Sequence, residues 1–170
     1  MDRLWATWRM PYIDTLKERG EEGDGCVFCD KPREGTDEES YILLRRPKTF
    51  VIQNAFPYNP GHIMIAPYRH VARFADLGGE ERGEIGDLLV LCETVIERVF
   101  RPNGMNVGVN LGRAAGAGVP GHIHVHLVPR WQGDSNFMPL FGGTKVIPQG
   151  LRDTYGKLKE ALDALEGPEG

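Results

Sequence analysis

The fold of this chain is decided by the stretch Gly121-His122-Ile123-His124-Val125-His126-Leu127-Val128-Pro129, in which three of the five histidines fall at alternate positions. Successive side chains of a β-strand point to opposite faces, so the three imidazoles would share one face while Ile123, Val125 and Leu127 share the other. The β-branched residues and the terminating Pro129 also favour a strand over a helix. The stretch is therefore predicted to be a core strand whose second face carries chemistry.

Imidazoles at this spacing suit two kinds of site, because side chains two residues apart on a strand lie within roughly 7 Å of each other. In one site, a neutral imidazole attacks an electrophile such as phosphorus, and its neighbours stabilise the charge that develops. In the other, two or three imidazoles hold a catalytic metal ion. A polar strand face without function is disfavoured, because titratable groups rarely cluster in this way without a role.

The composition indicates one domain that binds neither a nucleic-acid polymer nor a membrane. A chain of 170 residues with 41% hydrophobic content can bury a proper core, but it is too short for two ordinary domains. The net charge of -4 and the absence of a Lys/Arg-rich run argue against electrostatic binding of a nucleic-acid phosphate backbone. No apolar stretch approaches the roughly 20 residues of a membrane helix, and the N-terminus lacks the apolar core of a signal peptide. We therefore expect a cytoplasmic protein.

Hydrophobic periodicity predicts an α+β domain with a mostly antiparallel sheet and helices packed on one face. Residues 1–25 are expected to be an aromatic-rich arm and a loop, and residues 26–170 the single domain. Strands are predicted at 41–46, 50–54, 62–66 and 106–111 in addition to the histidine-bearing strand. The three-four spacing of apolar residues predicts a central helix over 85–99 and a C-terminal amphipathic helix over 151–165.

The segment Cys26-Val27-Phe28-Cys29 has the spacing of a metal half-site. Three cysteines do not make a disulfide framework in a chain of this size, so a pair of thiolates in a reducing compartment favours structural zinc. A reduced, metal-free pair remains the alternative. A thioredoxin-like role is least favoured because no βαβ pattern surrounds the pair.

The histidine stretch resembles the signature of the histidine triad (HIT) family, in which His-x-His-x-His is followed by apolar residues, here Leu127 and Val128. A second landmark is similar as well, since residues 54–71 contain Pro-Gly-His at 60–62 with Asn54 upstream. Residues 131–137 resemble the bacterial branch that includes diadenosine tetraphosphate phosphorylases. The resemblance covers most of residues 27–165, and it implies a five-stranded antiparallel sheet and commonly a homodimer.

The resemblance also implies an activity and a role for each histidine of the site. His124 would be the nucleophile that attacks the α-phosphorus of a dinucleoside polyphosphate and forms a nucleotidyl-histidine, which water or inorganic phosphate then resolves. His122 and His126 would donate hydrogen bonds to phosphoryl oxygens or fix the tautomer of His124. His62 would stand beside the triad.

Substrate contacts are implied for two asparagines and a glycine-rich loop. By resemblance, Asn54 would contact the nucleotide sugar and Asn110 would face the phosphates, although either amide could cap a turn instead. The backbone N–H groups of the loop at residues 110–121, including Gly116 and Gly118, could form a nest around a phosphate. Hydrolases of the family often carry Gln or a hydroxyl residue where this chain has Ala117 and Gly118, and this departure agrees with phosphate as the acceptor.

The zinc-bearing relatives imply the remaining metal ligands. They take one histidine from between the Cys pair and the triad and another from the first triad position, which match His70 and His122 here. If His122 binds zinc, it is not available to the phosphate. Cys26, Cys29, His70 and His122 are accordingly the expected zinc ligands.

Three further hypotheses stay open at this point. One is a nucleotide or phosphoramidate hydrolase, which would share His124 and differ only in the acceptor. Another is a nucleotide-binding sensor or interaction protein that keeps the fold without turnover. The last is a metal-dependent enzyme whose catalytic ion sits on the triad itself.

Overall fold

The computed structural model describes residues 25–134 and 150–167. Five strands form one sheet in the order β1-β2-β3-β5-β4, and every neighbouring pair is antiparallel. The strands are β1 (Ile42–Arg45), β2 (Thr49–Gln53), β3 (Ile63–Pro67), β4 (Gly104–Gly108) and β5 (Val125–Arg130). The predicted five-stranded α+β architecture is confirmed. The predicted arm at residues 1–25 lies outside the described residues apart from Gly25.

Two long helices cover one face of this sheet, and two short ones precede it. The helices are α1 (Val27–Asp30), α2 (Asp37–Ser40), α3 (Gly79–Phe100) and α4 (Leu151–Glu166). α3 begins six residues before the predicted bound of 85, because Glu81 accepts a hydrogen bond from the Gly78 N–H and so satisfies the first turn. It ends at Phe100, since Arg101 adopts a left-handed conformation with φ 46°. No helix in the described ranges is long and apolar enough to cross a membrane.

Alternate side chains of the strands pack into two separate apolar layers, one on each face of the sheet. The larger layer lies between the sheet and helices α3 and α4, and it includes Ile123, Val125 and Leu127. The smaller layer lies on the opposite face, where α1 packs on the sheet through Phe28. Each fully buried side chain of this size contributes about 1.5–3 kcal/mol. The two layers therefore hold the histidine-bearing segment between them.

Two strands differ from their predicted bounds by more than one residue at an end. β5 begins at Val125, so His122 and His124 precede it; the Ile123 N–H donates to the Val71 carbonyl, outside the ladder. The alternation of side chains nevertheless holds through this segment, with Ile123 in the larger layer and the imidazoles on the other side. β4 occupies 104–108 rather than 106–111, because pairing starts at Gly104 opposite Arg130 immediately after the helix exit.

Candidate functional site

Four side chains from three separate segments meet in one group, which we call the Cys/His cluster: Cys26, Cys29, His70 and His122. Their ligand atoms all lie within 4.8 Å of one another. The Nδ1 of His122 is 3.3 Å from Cys26 Sγ and 3.5 Å from Cys29 Sγ, and the Nδ1 of His70 is 3.4 Å from Cys29 Sγ. The predicted ligand set is thus brought together in space.

The chemistry and spacing of the Cys/His cluster fit a tetrahedral zinc ion. With zinc–sulfur bonds of about 2.3 Å and zinc–nitrogen bonds of about 2.0–2.1 Å, tetrahedral geometry places sulfur and nitrogen donors about 3.5 Å apart. The observed sulfur–nitrogen distances of 3.3–3.5 Å match that value. Two thiols and two imidazoles are also the donor types that structural zinc sites use.

His122 is fully engaged within this cluster. Its Nε2 lies 2.9 Å from the Pro67 carbonyl oxygen, so it is Nε2 that carries the proton and donates, while Nδ1 faces the two sulfurs. Burial lowers the pKa of His122 to about 4, although the bond to Pro67 opposes the shift. Burial likewise raises the pKa of the Cys26 thiol to about 11. His122 is therefore neutral, as a metal ligand must be.

His124 uses its ring nitrogens in the opposite way to His122: its Nδ1 faces a backbone carbonyl and its Nε2 does not. Its Nδ1 lies 2.8 Å from the His122 carbonyl oxygen, which places the proton on Nδ1 and leaves Nε2 as the basic nitrogen. The residue is 5% exposed, and this burial lowers the pKa of His124 below its ordinary value. The imidazole is therefore neutral near pH 7. A neutral imidazole with a defined basic nitrogen is what a nucleophile requires.

His62 and His126 form a hydrogen-bonded pair beside His124, which we call the imidazole pair. The Tyr58 N–H donates to His62 Nδ1 at 3.1 Å, so the proton of neutral His62 lies on Nε2. His62 Nε2 is 3.0 Å from His126 Nδ1 and donates to it. The proton of neutral His126 then lies on Nε2. The ring of His126 is 4.8 Å from that of His124, edge to face.

The loop before His62 is shaped by Gly61 and by Asn54, which sequence reasoning assigned to the nucleotide sugar. Asn54 Oδ1 accepts from the Phe56 N–H at 2.9 Å, and its Nδ2 lies 3.3 Å from His62 Nδ1, so the amide both caps the turn and faces the histidine. Gly61 has φ +77°, and a Cβ there would meet the Phe100 ring at 2.6 Å. The glycine therefore permits close approach to the end of α3.

The same loop is tied to the exit of β5 by a polar network that runs from the buried Asn59 to the exposed Arg130. Asn59 donates to the Pro129 carbonyl at 2.8 Å and to Asp134 Oδ2 at 2.7 Å. The Arg130 guanidinium pairs with both oxygens of Asp134, and it lowers the pKa of that carboxyl further than the bond from Asn59 does. Sequence reasoning missed this network, because its members are far apart in the chain and match no motif.

The remaining predicted residues lie in the loop that feeds the triad. Asn110 follows β4 by two residues and is half-buried, and a 3₁₀ turn at Arg113–Ala115 separates it from Gly116. Gly116 has φ +86°, a conformation that favours glycine, whereas Gly118 is half-buried without a positive φ. Among the described residues, Asn110, Gly116 and Gly118 make no hydrogen bond to the histidines.

Two further residues complete the arrangement. A Cβ on Gly121 would lie 3.0 Å from His70 Nε2, so the glycine allows His70 to reach the Cys/His cluster. The Phe28 ring contacts the His124 ring in a tilted arrangement, with ring centroids 4.5 Å apart and an interplanar angle of 30°. Sequence reasoning missed Phe28, although its position between the two cysteines was a signal that could have found it.

The comparisons with known proteins agree with this geometry. Residues 36–133 match the HIT domain. The chain is 41% identical over 158 residues to the AP-4-A phosphorylase of Mycobacterium tuberculosis, covering 91% of this chain and 80% of that protein. It is 35% identical over 95 residues to the asymmetrical bis(5'-nucleosyl)-tetraphosphatase of Schizosaccharomyces pombe, covering 56% of this chain and 52% of the relative.

Solved structures give the same fold. A Zn-bound histidine triad family protein from Mycobacterium smegmatis superposes with a TM-score of 0.65 at 22% identity, covering 84% of this chain and 96% of that one. A histidine triad nucleotide-binding protein from Sulfolobus tokodaii gives the same TM-score of 0.65 at 24% identity, covering 83% and 94%.

Proposed function

The chain belongs to the HIT family, and from this premise we propose that it is a nucleotidyl-transfer enzyme that cleaves dinucleoside polyphosphates, with phosphorolysis of diadenosine tetraphosphate as its reaction. The similarity to the M. tuberculosis AP-4-A phosphorylase over most of both chains supports this choice of substrate. The arrangement of His62, His124 and His126 supplies the chemistry.

The reaction proceeds in two displacements at one phosphorus. His124 Nε2 attacks the α-phosphorus of the substrate, a P–N bond forms, and the P–O bond to the departing ATP breaks. An oxygen of inorganic phosphate then attacks the same phosphorus, the P–N bond breaks, and ADP is released. The balance is diadenosine tetraphosphate plus phosphate to ATP plus ADP. Covalent catalysis divides one difficult step into two easier ones.

A single observation carries the proposal: the hydrogen bond from His124 Nδ1 to the His122 carbonyl. It fixes the tautomer, so that the lone pair lies on Nε2, and it holds the ring through a rigid backbone atom. The lowered pKa of His124 keeps that lone pair unprotonated at neutral pH. The neighbouring His126 then serves as a donor to the phosphoryl oxygens through Nε2–H, oriented by His62.

Substrate contacts follow from the same family relation. Asn54 is proposed to reach the nucleotide sugar from beside His62, and Asn110 with the backbone of Gly116 and Gly118 is proposed to receive the phosphates. The small side chains at positions 117 and 118 leave room for inorganic phosphate as the acceptor. Binding of the nucleotide would bring this loop toward His124.

The Cys/His cluster is proposed to hold a structural zinc ion. Its donor types and spacing support this, and zinc would tie α1 to the segment that carries the histidines. Since both ring nitrogens of His122 are used by the cluster and by Pro67, His122 contributes structure rather than a bond to phosphate. The alternative of a catalytic ion on the triad loses its first ligand for the same reason.

We further propose that the protein is a cytoplasmic homodimer. Val90 on α3 is 66% exposed and Val107 on the edge strand β4 is 55% exposed, and such side chains are stabilised when a partner covers them. Sedimentation of the wild type and of Val90→Asp tests the dimer. A monomeric wild type contradicts it.

The deciding experiment is intact-protein mass spectrometry after brief incubation with diadenosine tetraphosphate in phosphate-free buffer. We expect an adduct of one AMP on the wild type and none on His124→Ala. Adding phosphate should then discharge the adduct as ADP. A wild type that forms neither adduct nor product overturns the proposal in favour of a nucleotide-binding protein without turnover.

Hydrolysis is the second candidate, favoured by the similarity to the S. pombe tetraphosphatase. The two reactions share the nucleotidyl-histidine and differ in the acceptor. Release of ADP only when phosphate is present supports phosphorolysis. Steady release of AMP without phosphate supports hydrolysis.

A further inference from the structure

We infer that Phe28 is a positioning residue for the nucleophile, because its ring forms the surface against which the His124 imidazole is held with Nε2 toward the substrate. The inference rests on the proposed function, since it assumes that His124 attacks phosphorus. It adds to that function a link between the Cys/His cluster and the reacting nitrogen, carried by one apolar side chain.

The hydrogen bond of His124 does not fix its ring completely. The bond from Nδ1 to the His122 carbonyl restrains one edge at 2.8 Å, but the ring can still tilt about that contact. The Phe28 ring packs against the His124 ring at a centroid distance of 4.5 Å, with the two ring planes tilted by 30°, and the His126 ring lies edge to face at 4.8 Å. The flat ring of Phe28 removes the tilt that the hydrogen bond allows.

Phe28 is itself held on both sides by the Cys/His cluster. It is the third residue of Cys26-Val27-Phe28-Cys29, and the Cys29 N–H donates to the Cys26 carbonyl at 2.9 Å, which closes the turn around it. The sulfurs of both cysteines face His122 Nδ1. The Phe28 ring also lies 5.3 Å from the His122 ring, so it contacts a cluster residue and the nucleophile together.

A core role alone would be the simplest account of Phe28, and Phe50 offers a matched control. Phe28 is 2% exposed and Phe50 is 0% exposed, and both belong to the same smaller apolar layer. Phe50 also stacks on an aromatic ring, that of Tyr68, at 5.2 Å and 27°. Of these two phenylalanines, only Phe28 has ring contacts with imidazoles among the described residues, both of them tilted.

The test compares Phe28→Leu with Phe50→Leu in the zinc-loaded, full-length protein. Leucine keeps the site apolar and removes the flat ring. We expect Phe28→Leu to lower kcat and the single-turnover rate of adduct formation by about 10- to 100-fold, because small misplacements of a reacting group have effects of that size. KM should stay within about twofold, since substrate contacts remain. Phe50→Leu should leave both constants within about twofold of wild type.

Two readouts separate positioning from loss of the fold or of the metal. Zinc content should be the same in both variants, and long-range nitrogen–proton NMR should show broadened His124 signals only in Phe28→Leu. Equal kcat in the two variants overturns the inference. It is overturned as well if Phe28→Leu loses zinc and its rate equals that of chelated wild type. Should Phe28→Leu fail to fold, Phe28→Met, which fills irregular space, is judged by the same comparison.

The failure of this inference is distinguishable from failure of the proposed function. A wild type without an AMP adduct contradicts the nucleophile itself. A wild type with the adduct, together with Phe28→Leu that behaves as Phe50→Leu does, leaves the nucleophile in place and removes only the role of Phe28.

Discussion

The first and third histidines of the triad lie four residues apart, yet they occupy two different chemical environments. His122 is 1% exposed, donates through Nε2 to the Pro67 carbonyl and turns Nδ1 to two thiols. His126 is half-buried and receives the Nε2–H of His62 on its Nδ1. Identical residues on one face of one segment are thus divided between the Cys/His cluster and the imidazole pair.

The difference teaches that the partner of the second ring nitrogen decides what a histidine does. A backbone carbonyl opposite one nitrogen of His122 gives the other nitrogen to the Cys/His cluster. At His124 the His122 carbonyl oxygen accepts from Nδ1 and leaves Nε2 as the basic nitrogen, which is the atom proposed to attack phosphorus. His124 lies between the two environments, held by Phe28 from the cluster side and by His126 from the imidazole pair.

The largest expected effect is on turnover, and it comes from substitution of His124. His124→Ala removes the nucleophile, so kcat should fall by about 10⁴-fold, as for other covalent catalysts that lose theirs. Nucleotide affinity, measured by calorimetry with a nonhydrolysable analogue, should change little. A His124→Ala enzyme with more than a tenth of wild-type turnover would show that another residue attacks phosphorus.

The next largest effect is expected from substitution of a cysteine in the Cys/His cluster. Cys29→Ser should abolish binding of the proposed zinc ion and lower the free energy of unfolding by about 3 kcal/mol, because a structural metal contributes directly to folding. Zinc analysis and denaturant unfolding measure both. Cys92→Ala is the matched control, since Cys92 is also buried but packs in the larger apolar layer. If the two variants retain equal zinc, the assignment of the cluster is wrong.

A third substitution tests whether the imidazole pair contributes to catalysis. His62→Leu removes the donor to His126 Nδ1 and should lower kcat by about 10²-fold, the effect of losing one preorganised donor. His62→Gln retains an N–H near the position of Nε2 and should recover part of the rate. Steady-state kinetics on both variants test this. Equal losses in Leu and Gln would mean that His62 supports packing only.

The smallest effect concerns pH. Protonation of His124 blocks attack, and burial lowers its pKa below the ordinary 6.5, so the neutral form persists into more acidic solution. The single-turnover rate of adduct formation should therefore fall by less than about twofold between pH 7.5 and 6.5 and decline only below that range. A rate already halved above pH 6.5 would contradict the neutral, buried environment.

Much of this architecture could be predicted from local patterns. The alternation of Ile123, Val125 and Leu127 with the three imidazoles correctly predicted two faces, because a strand's period of two is a property of the backbone. The three-four spacing in α3 predicted that helix within a few residues at its C-terminal end. The start of β5 was predicted too early, since pairing depends on the neighbouring strand and the Ile123 N–H bonds to Val71 instead.

The sequence by itself determined which chemistry was available: three alternating imidazoles, two thiols at metal-ligand spacing and a Pro-Gly-His turn, read with the family they resemble. Only the tertiary structure decided how these groups were divided. The Pro67 carbonyl, the Tyr58 N–H and the ring of Phe28 reach the histidines from distant parts of the chain. Hydrogen-bond direction and ring contact depend on positions in space, and no spacing along the sequence encodes them.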